Sequence, residues 1–157
     1  MTDRATGGYE FTALLALAFG GVVDELQRRL AALGYADVRP AHGFAFVRLT
    51  PDGATITELA AHLGVTKQAA SHMVDDLEES GYVERRAHPT DGRGKVVALT
   101  TRGWACIAAT EEIFADIERR WADLIGVERM EALRADLRRV VAGMHDGRAP
   151  QRLRPIW

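Results

Sequence analysis

The stretch from Thr55 to Thr100 constrains the fold of this chain more than any other part of it. Thr55 is followed by Glu58 in the spacing of a capping box, which predicts that a helix begins there. Gly64 is placed to end that helix, because glycine adopts a left-handed conformation at low cost. Thr66 is a good N-cap for a second helix. The pattern therefore predicts two short helices joined by a tight turn.

The second predicted helix, from Lys67 to Ser80, has two chemically different sides. Apolar residues at helical spacing mark its buried side: Ala70, Met73, Val74 and Leu77. The opposite side carries hydrogen-bonding groups near the start of the helix: Lys67, Gln68, Ser71 and His72. Its acids lie further along: Asp75, Asp76, Glu78 and Glu79. These features favour a helix that enters a DNA major groove with its N-terminal half. An ordinary solvated surface helix is the alternative for this segment taken alone.

A β-hairpin is predicted directly after this helix. The β-prone runs Tyr82–Arg86 and Lys95–Leu99 are separated by a connection rich in turn-forming residues. This loop is too long for a minimal turn, so we expect it to project as a wing. Arg93 and Lys95 would lie at or just behind its tip, within reach of phosphates or a minor groove. A solvated connector without a partner is the alternative.

The acid in the predicted wing, Asp91, is an unusual choice for a loop that faces DNA. We expect it to have a structural role, holding Arg93 or Arg85 through a charge-assisted hydrogen bond.

Several short motifs in this stretch together resemble one protein family. They are Glu58-Leu-Ala-x-x-Leu-Gly-Val-Thr66, Ser71, Leu77-Glu-x-x-Gly81-Tyr-Val-x-Arg85, Asp91-x-Arg93-x-Lys95 and Leu99-Thr-x-x-Gly103. The set resembles the MarR family of bacterial transcription regulators. The resemblance implies a homodimer that binds a palindromic operator in double-stranded DNA, usually represses, and often releases DNA when a small molecule binds. One position departs from the family pattern: His72 stands where arginine is common, and histidine is a weaker, pH-dependent donor.

These observations together predict the fold class and its organisation. We expect a mainly α protein with a small β-hairpin wing. Residues 37–100 would form the winged helix-turn-helix domain, and residues 1–36 and 101–146 a helical dimerisation region. Residues 147–157 are rich in proline and arginine, and we expect a flexible tail there. The predicted DNA-binding residues are Thr66, Lys67, Gln68, Ser71, His72, Arg85, Arg86, Arg93 and Lys95.

The segments on either side of the winged domain are predicted to be long amphipathic helices. The first, from about Tyr9 to Leu33, is interrupted by Gly20-Gly21, which suggests a close helix crossing or a kink. Another long helix should begin at Thr100 and end at Gly126, with a last helix after it. Their apolar stripes exceed what one small winged domain can cover, so we expect a two-fold dimer interface. A monomer with an internal helical bundle is the alternative.

A further helix is predicted from about Val38 to Leu49, with Pro40 in its first turn. It would lie between the dimerisation region and the winged domain. The resembled family commonly binds effectors in that crevice, which makes Tyr9, His42, Phe46 and Trp104 candidates for a pocket that recognises an aromatic or amphipathic molecule. Core packing of the aromatic residues and a satisfied buried His42 is the alternative.

Charge is the feature that fits DNA binding least well. The formal net charge is −2, whereas nucleic-acid-binding domains are often strongly basic. The segment Thr55–Arg102 is itself about neutral, so binding must depend on where its charges are placed. We expect modest non-specific affinity.

Several other classes of protein are disfavoured by the sequence. Cys106 is the single cysteine, so an intrachain disulfide is excluded; a small buried hydrophobe is its expected role, with redox sensing as the alternative. The histidines lack the close pair spacing of zinc sites. No catalytic motif is present, and we expect neither enzymatic activity nor a metal or cofactor. No apolar run is long enough to span a membrane, and acids beside the apolar residues 11–23 oppose a signal peptide, so we expect a cytoplasmic protein.

Two other functions remain open beside that of a DNA-binding regulator. A winged helix also serves as a protein–protein interaction module, with the polar face of its second helix on a partner. A small ligand-modifying enzyme would instead need an acid–base set around His42, and the sequence does not display one.

Overall fold

The computed structural model describes residues 9–144, which form a mainly helical fold with one two-stranded antiparallel sheet. The predicted fold class is confirmed, whereas the predicted tail at residues 147–157 lies outside the described residues. In chain order the elements are α1 (Glu10–Ala32), α2 (Pro40–Leu49), α3 (Ile56–Leu63), α4 (Lys67–Glu79), β1 (Val83–Ala87), β2 (Lys95–Leu99), α5 (Thr101–Ile125) and α6 (Val127–Met144).

The helix–turn–helix begins and ends at the predicted capping residues. Thr55 Oγ1 accepts the backbone N–H of Glu58 at 3.2 Å, and Glu58 Oε2 accepts that of Thr55 at 2.8 Å. Gly64 ends α3 with φ at +66°. Thr66 Oγ1 then accepts the backbone N–H of Ala69 at 3.1 Å and begins α4. Each cap satisfies amides that a helix end leaves without a partner.

The hairpin pairs β1 with β2 in antiparallel register, from Val83 opposite Leu99 to Ala87 opposite Lys95. A further connection was not apparent from the sequence: the backbones of Ala54 and Val97 bond to each other at 2.8 and 3.0 Å. This bridge ties the segment before α3 to the wing. Gly53 makes the approach possible, since its φ is +84° and a Cβ there would lie 2.5 Å from the carbonyl oxygen of Val97.

Helix α2 joins the winged domain to the surrounding helices. It begins at Pro40, which lies in the first turn as predicted, and thus slightly after the predicted start at Val38. Its buried face includes Phe46 and Leu49, which belong to the same core as Leu59 and Val74 of α3 and α4. His42 is also buried, and its Nδ1 accepts the backbone N–H of Arg39 at 3.2 Å. That contact is the satisfied buried histidine that the sequence left open as an alternative.

Helix α1 packs along α5 and is tied to it by ion pairs. Arg29 contacts Asp116 at 2.6 Å, and Arg120 contacts Glu25 at 3.0 Å. The structure assigns one continuous helix across Gly20 and Gly21, and a Cβ at either glycine would meet no atom within 4 Å. Within the described part of this protomer no other helix packs closely against these glycines, so the predicted close crossing is not formed there.

The last two helices follow the predicted boundaries. Thr100 caps α5 by accepting the N–H of Gly103 at 3.1 Å, and Gly126 separates α5 from α6. Cys106 is buried on α5, and burial raises the pKa of its thiol. This placement agrees with a small buried hydrophobe. Helix α6 buries none of its residues in the protomer. Between residues 9 and 144 we find no helix with the length and apolar character that a membrane span requires.

Candidate nucleic-acid interface

The N-terminal half of α4 presents polar side chains to solvent. Lys67, Gln68 and His72 are exposed, and Ser71 is half-buried beside them. Ala70, Val74 and Leu77 hold the other side of the helix in the core, as their spacing predicted. The helix is thus anchored along one face, and its hydrogen-bonding groups lie on the opposite, solvent-facing side.

The wing is ordered by hydrogen bonds within its own loop. The backbone N–H groups of Thr90 and Asp91 both donate to His88 Nδ1, at 3.2 and 3.1 Å. The N–H of His88 donates to the carbonyl of Gly94 at 2.9 Å. These bonds close the loop on itself, so Arg93 projects from a shaped turn.

The predicted role of Asp91 requires a correction. Its carboxylate accepts the backbone N–H of Arg93 at 3.1 Å, and within residues 9–144 it forms no bond to the guanidinium of Arg93 or of Arg85. Asp91 therefore shapes the wing through a short Asx-type turn, for which aspartate is well suited. The guanidinium of Arg93 is left available to a partner as a result.

The guanidinium of Arg85, a predicted DNA contact, is paired with acids of the protein itself. Its guanidinium bonds to Asp75 at 2.5 Å and also to Glu78, both on α4. The backbone N–H of Arg85 donates to Glu78 as well, at 3.2 Å. Hydrogen bonding to Asp75 raises the pKa of this guanidinium further above its ordinary range. In this structure Arg85 braces the hairpin against α4, and its donors are occupied by protein.

Two other arginines of this region are also paired with acids. Arg86 is exposed and contacts Glu84 on the same strand. Arg39, just before α2, lies 3.8 Å from Asp76 of α4. Together with Arg85, these arginines neutralise acids at the C-terminal half of α4 and at the base of the hairpin.

Three other cations of the winged domain, all predicted to contact DNA, are not paired with acids of the described chain. Within the part of the chain that the structure describes, the side chains of Lys67, Arg93 and Lys95 form no ion pair, and all three are exposed. The segment Thr55–Arg102 is therefore nearly neutral in total, but its positive and negative charges lie in different places. Asp75, Asp76 and Glu78 are paired with arginines, whereas unpaired positive charge lies at the start of α4 and on the wing. The sequence could not reveal this pairing, because it depends on distances between elements.

The candidate effector residues lie in two kinds of environment. Tyr9 and Trp104 are exposed, at 68% and 41% of their surface, whereas His42 and Phe46 are buried. Phe46 packs beside the ring of Tyr82, with ring centroids 6.0 Å apart. A separate groove of about 690 Å³ lies between α1 and α5, with Leu17, Gly21 and Trp121 among its lining residues. In the described chain, no cluster of three or more His, Cys, Asp or Glu side chains is arranged to hold a metal ion.

Comparison with known proteins finds a family match in the winged domain. A family model described as "MarR family" matches residues 44–94, which include α3, α4 and the wing.

Over residues 44–94 the chain is similar to the MarR family.

Curated relatives come from mycobacteria. An HTH-type transcriptional repressor of Mycobacterium tuberculosis is 35% identical over 68 residues, which cover 43% of this chain and 49% of that protein. An uncharacterized protein of the same species is 29% identical over 90 residues, which cover 57% of this chain and 63% of that protein. The matches thus span between about half and two thirds of the length of these relatives.

Solved MarR-family structures extend the similarity over most of the fold. Apo MarR from E. coli is 26% identical, with a TM-score of 0.63 over 83% of this chain and 96% of that protein. A MepR–DNA complex from S. aureus is 22% identical, with a TM-score of 0.67 over 85% of this chain and 98% of that protein. Because the sequence identity to MepR is low, the similarity to the MepR–DNA complex concerns the fold alone.

Proposed function

We propose that this protein is a sequence-specific DNA-binding transcriptional regulator of the MarR family that acts as a homodimer, most simply as a repressor. The observation that carries the proposal is the sorting of charge on the winged domain. Among the described residues, unpaired Lys67, Arg93 and Lys95 lie at the exposed start of α4 and on the wing, while Arg85 neutralises the acids behind them. A relative is named a transcriptional repressor, and a MepR structure of similar fold holds DNA, which supports the same function here.

The two parts of the surface would contribute differently to binding. Gln68, Ser71 and His72 carry donors and acceptors suited to base edges in a major groove. Arg93 and Lys95 would contact phosphates, which position the protein without reading sequence. Thr66 and Lys67 lie at the helix start, where backbone amides also favour a phosphate. Arg86 is exposed beside the wing and would reach phosphate after exchanging its contact with Glu84.

Arg85 takes a different part in this proposal from the one first predicted. With its guanidinium held by Asp75 and Glu78, it would keep those carboxylates from repelling the DNA backbone. It would act as a brace between α4 and the wing.

A homodimer is supported by the apolar surface that the protomer leaves uncovered. The exposed large hydrophobic residues of α1 and α6 include Phe11, Leu14, Leu17, Leu137, Val140 and Met144. Exposed apolar surface of this extent is typical of an interaction site. A second copy would cover these faces and the groove between α1 and α5, and its two-fold symmetry would match a palindromic operator.

We also propose that a small aromatic or amphipathic molecule lowers the affinity for DNA. Tyr9 and Trp104 are the candidate side chains available for direct contact, since both are exposed. His42 and Phe46 are buried and would respond through the packing of α2.

Equilibrium binding to a fluorescent duplex of random sequence tests the DNA-binding proposal. We expect binding at low salt that weakens steeply as salt rises, because phosphate contacts release counterions. Absence of binding at low salt would contradict the proposal and favour the protein–protein interaction module.

A further inference from the structure

A polar cluster of one buried residue, Tyr82, and two exposed residues, Asp37 and Arg102, lies where the winged domain meets the helices around it. Tyr82 is completely buried between the end of α4 and the start of β1. Its hydroxyl donates to the carboxylate of Asp37 at 2.6 Å and accepts from the guanidinium of Arg102 at 3.0 Å. Asp37 belongs to the connection between α1 and α2, and Arg102 to the first turn of α5. One phenol thus links three segments that are distant in sequence.

Arg102 strengthens this connection with further contacts. Its guanidinium donates to the carbonyl of Gly34 at 3.0 Å, at the end of α1. It also lies over two aromatic rings, 5.3 Å from the centroid of Tyr35 and 4.7 Å from that of Tyr82. Both distances fall within the range of a cation–π interaction. One side chain of α5 therefore holds the end of α1 and the start of the hairpin together.

The backbone of Tyr82 is fixed just as closely. Its N–H donates to the carbonyl of Leu77 at 2.9 Å, and its carbonyl accepts the N–H of Thr100 at 3.0 Å. Gly103 allows α5 to come this near, because a Cβ at that position would lie 2.3 Å from the carbonyl oxygen of Tyr82. A displacement of Tyr82 would consequently displace the end of α4 and the start of α5.

The ionisation of the cluster suits a lasting contact at neutral pH. Burial, and then the Asp37 carboxylate, raise the pKa of Tyr82 to about 12, so the phenol keeps its proton. The Tyr82 hydroxyl in turn lowers the pKa of Asp37, which stays ionised. A neutral donor meets a charged acceptor, which is one of the stronger kinds of hydrogen bond.

We propose that Asp37, Tyr82 and Arg102 are positioning residues that fix the orientation of the winged domain relative to α1 and α5. In a dimer this orientation sets the separation of the two α4 helices, and hence the spacing of half-sites that the protein accepts. The statement about spacing rests on the proposed function, whereas the statement about orientation does not.

A distance measurement without DNA tests the orientation. Spin labels are attached at Gln68→Cys on α4 and Asp123→Cys on α5, in a Cys106→Ala background, and labelled chains are diluted with unlabelled chains so that each signal reports one protomer. We expect a narrow distance distribution in the parent and a broader one in Tyr82→Phe and Arg102→Ala. Arg134→Ala is the matched control, since Arg134 pairs with Glu118 and Glu131 away from the cluster. Distributions as narrow as the control's in both variants would overturn the proposal.

A second measurement tests the consequence for DNA. The parent and the variants are titrated with a duplex of two half-sites at the preferred spacing, and with one that has a base pair inserted between them. We expect the ratio of the two affinities to fall about tenfold in Tyr82→Phe and Arg102→Ala, with unchanged affinity for a single half-site. A merely structural defect would lower both affinities together, and an unchanged ratio would contradict the role in spacing. Tyr82→Phe keeps the buried ring, so this variant still tests the proposal if Arg102→Ala does not fold. If the parent binds no DNA, the proposed function fails, and the spin-label distances still decide the orientation.

Discussion

Arg93 is the side chain that should contribute most uniformly to DNA affinity. It is exposed on the wing, and Asp91 binds its backbone rather than its guanidinium. We expect Arg93→Ala to weaken binding to every duplex and to make the slope of log affinity against log salt shallower by about 0.9 for each phosphate that the variant no longer neutralises. Titrations at several salt concentrations measure the slope. Arg139→Ala on α6 is the control, and an unchanged slope in Arg93→Ala would remove the wing from the interface.

Gln68 should contribute to selectivity and little to general affinity. Its amide is exposed on the first turn of α4, and glutamine pairs in a bidentate manner with adenine in the major groove. We expect Gln68→Ala to reduce the preference for the correct base at one position of each half-site by about 1–3 kcal/mol. Competition between the preferred duplex and single-base variants measures this preference. An equal decrease in affinity for all duplexes would show that Gln68 contacts phosphate.

Single residues also show where prediction from sequence succeeds. Thr55, Thr66 and Thr100 were all predicted as caps, because capping depends on a few residues that are neighbours in the chain. The pairing of Arg85 with Asp75 and Glu78, and the bond of Asp91 to a backbone N–H, do not follow from the sequence, because sequence spacing does not give the distance from the hairpin to α4. The Asp37–Tyr82–Arg102 cluster was missed for the same reason, since its members lie 45 and 20 positions apart.

At the scale of elements, α2 depends on the protonation state of His42. The imidazole is at position N3 and caps the helix through Nδ1 as an acceptor, which requires an unprotonated nitrogen. Burial, and then the charge of Arg39, lower the pKa of His42 from its ordinary value of 6.5, while Asp76 and Asp37 act in the opposite direction.

This environment predicts how stability changes with pH. The pKa of His42 is lower in the folded protein than in the unfolded chain. As the pH falls, His42 therefore binds a proton in the unfolded chain before it does so in the folded protein. Between about pH 6.5 and the folded pKa, the free energy of unfolding should therefore decrease by up to about 1.4 kcal/mol per pH unit through His42. Urea unfolding at pH 7.5, 6.5 and 5.5 measures it.

The variant His42→Gln provides the comparison for this effect. Glutamine at N3 keeps an acceptor for the backbone N–H of Arg39 but does not titrate. We expect the decrease in stability over this pH range to be smaller in His42→Gln than in the parent. The same pH dependence in both proteins would assign the effect to other groups.

At the scale of the whole molecule, the proposed dimer depends on the uncovered faces of α1 and α6. The spacing of apolar residues along these helices predicted more hydrophobic surface than one winged domain can cover. The structure agrees, since α6 buries none of its residues within the protomer. The close approach expected at Gly20 and Gly21 is absent from the described part of the protomer, and a second copy is the partner that could supply it.

A charge placed on α6 should therefore disrupt assembly. We expect Leu137→Asp to give a monomer in sedimentation equilibrium at concentrations where the parent is a dimer, because an unpaired carboxylate would be buried at the interface. Arg138→Asp on the neighbouring position is the control for added negative charge. A parent that sediments as a monomer would contradict the proposed dimer, and a dimeric Leu137→Asp would place the interface elsewhere.

Selection of bound sequences from a pool of random duplexes is the most direct test of the central claim, that two copies of α4 and the wing read DNA together. Purified protein at moderate salt should recover a palindrome whose half-sites are about one helical turn apart. Recovery of a single half-site without symmetry, or of no sequence at all, would contradict it.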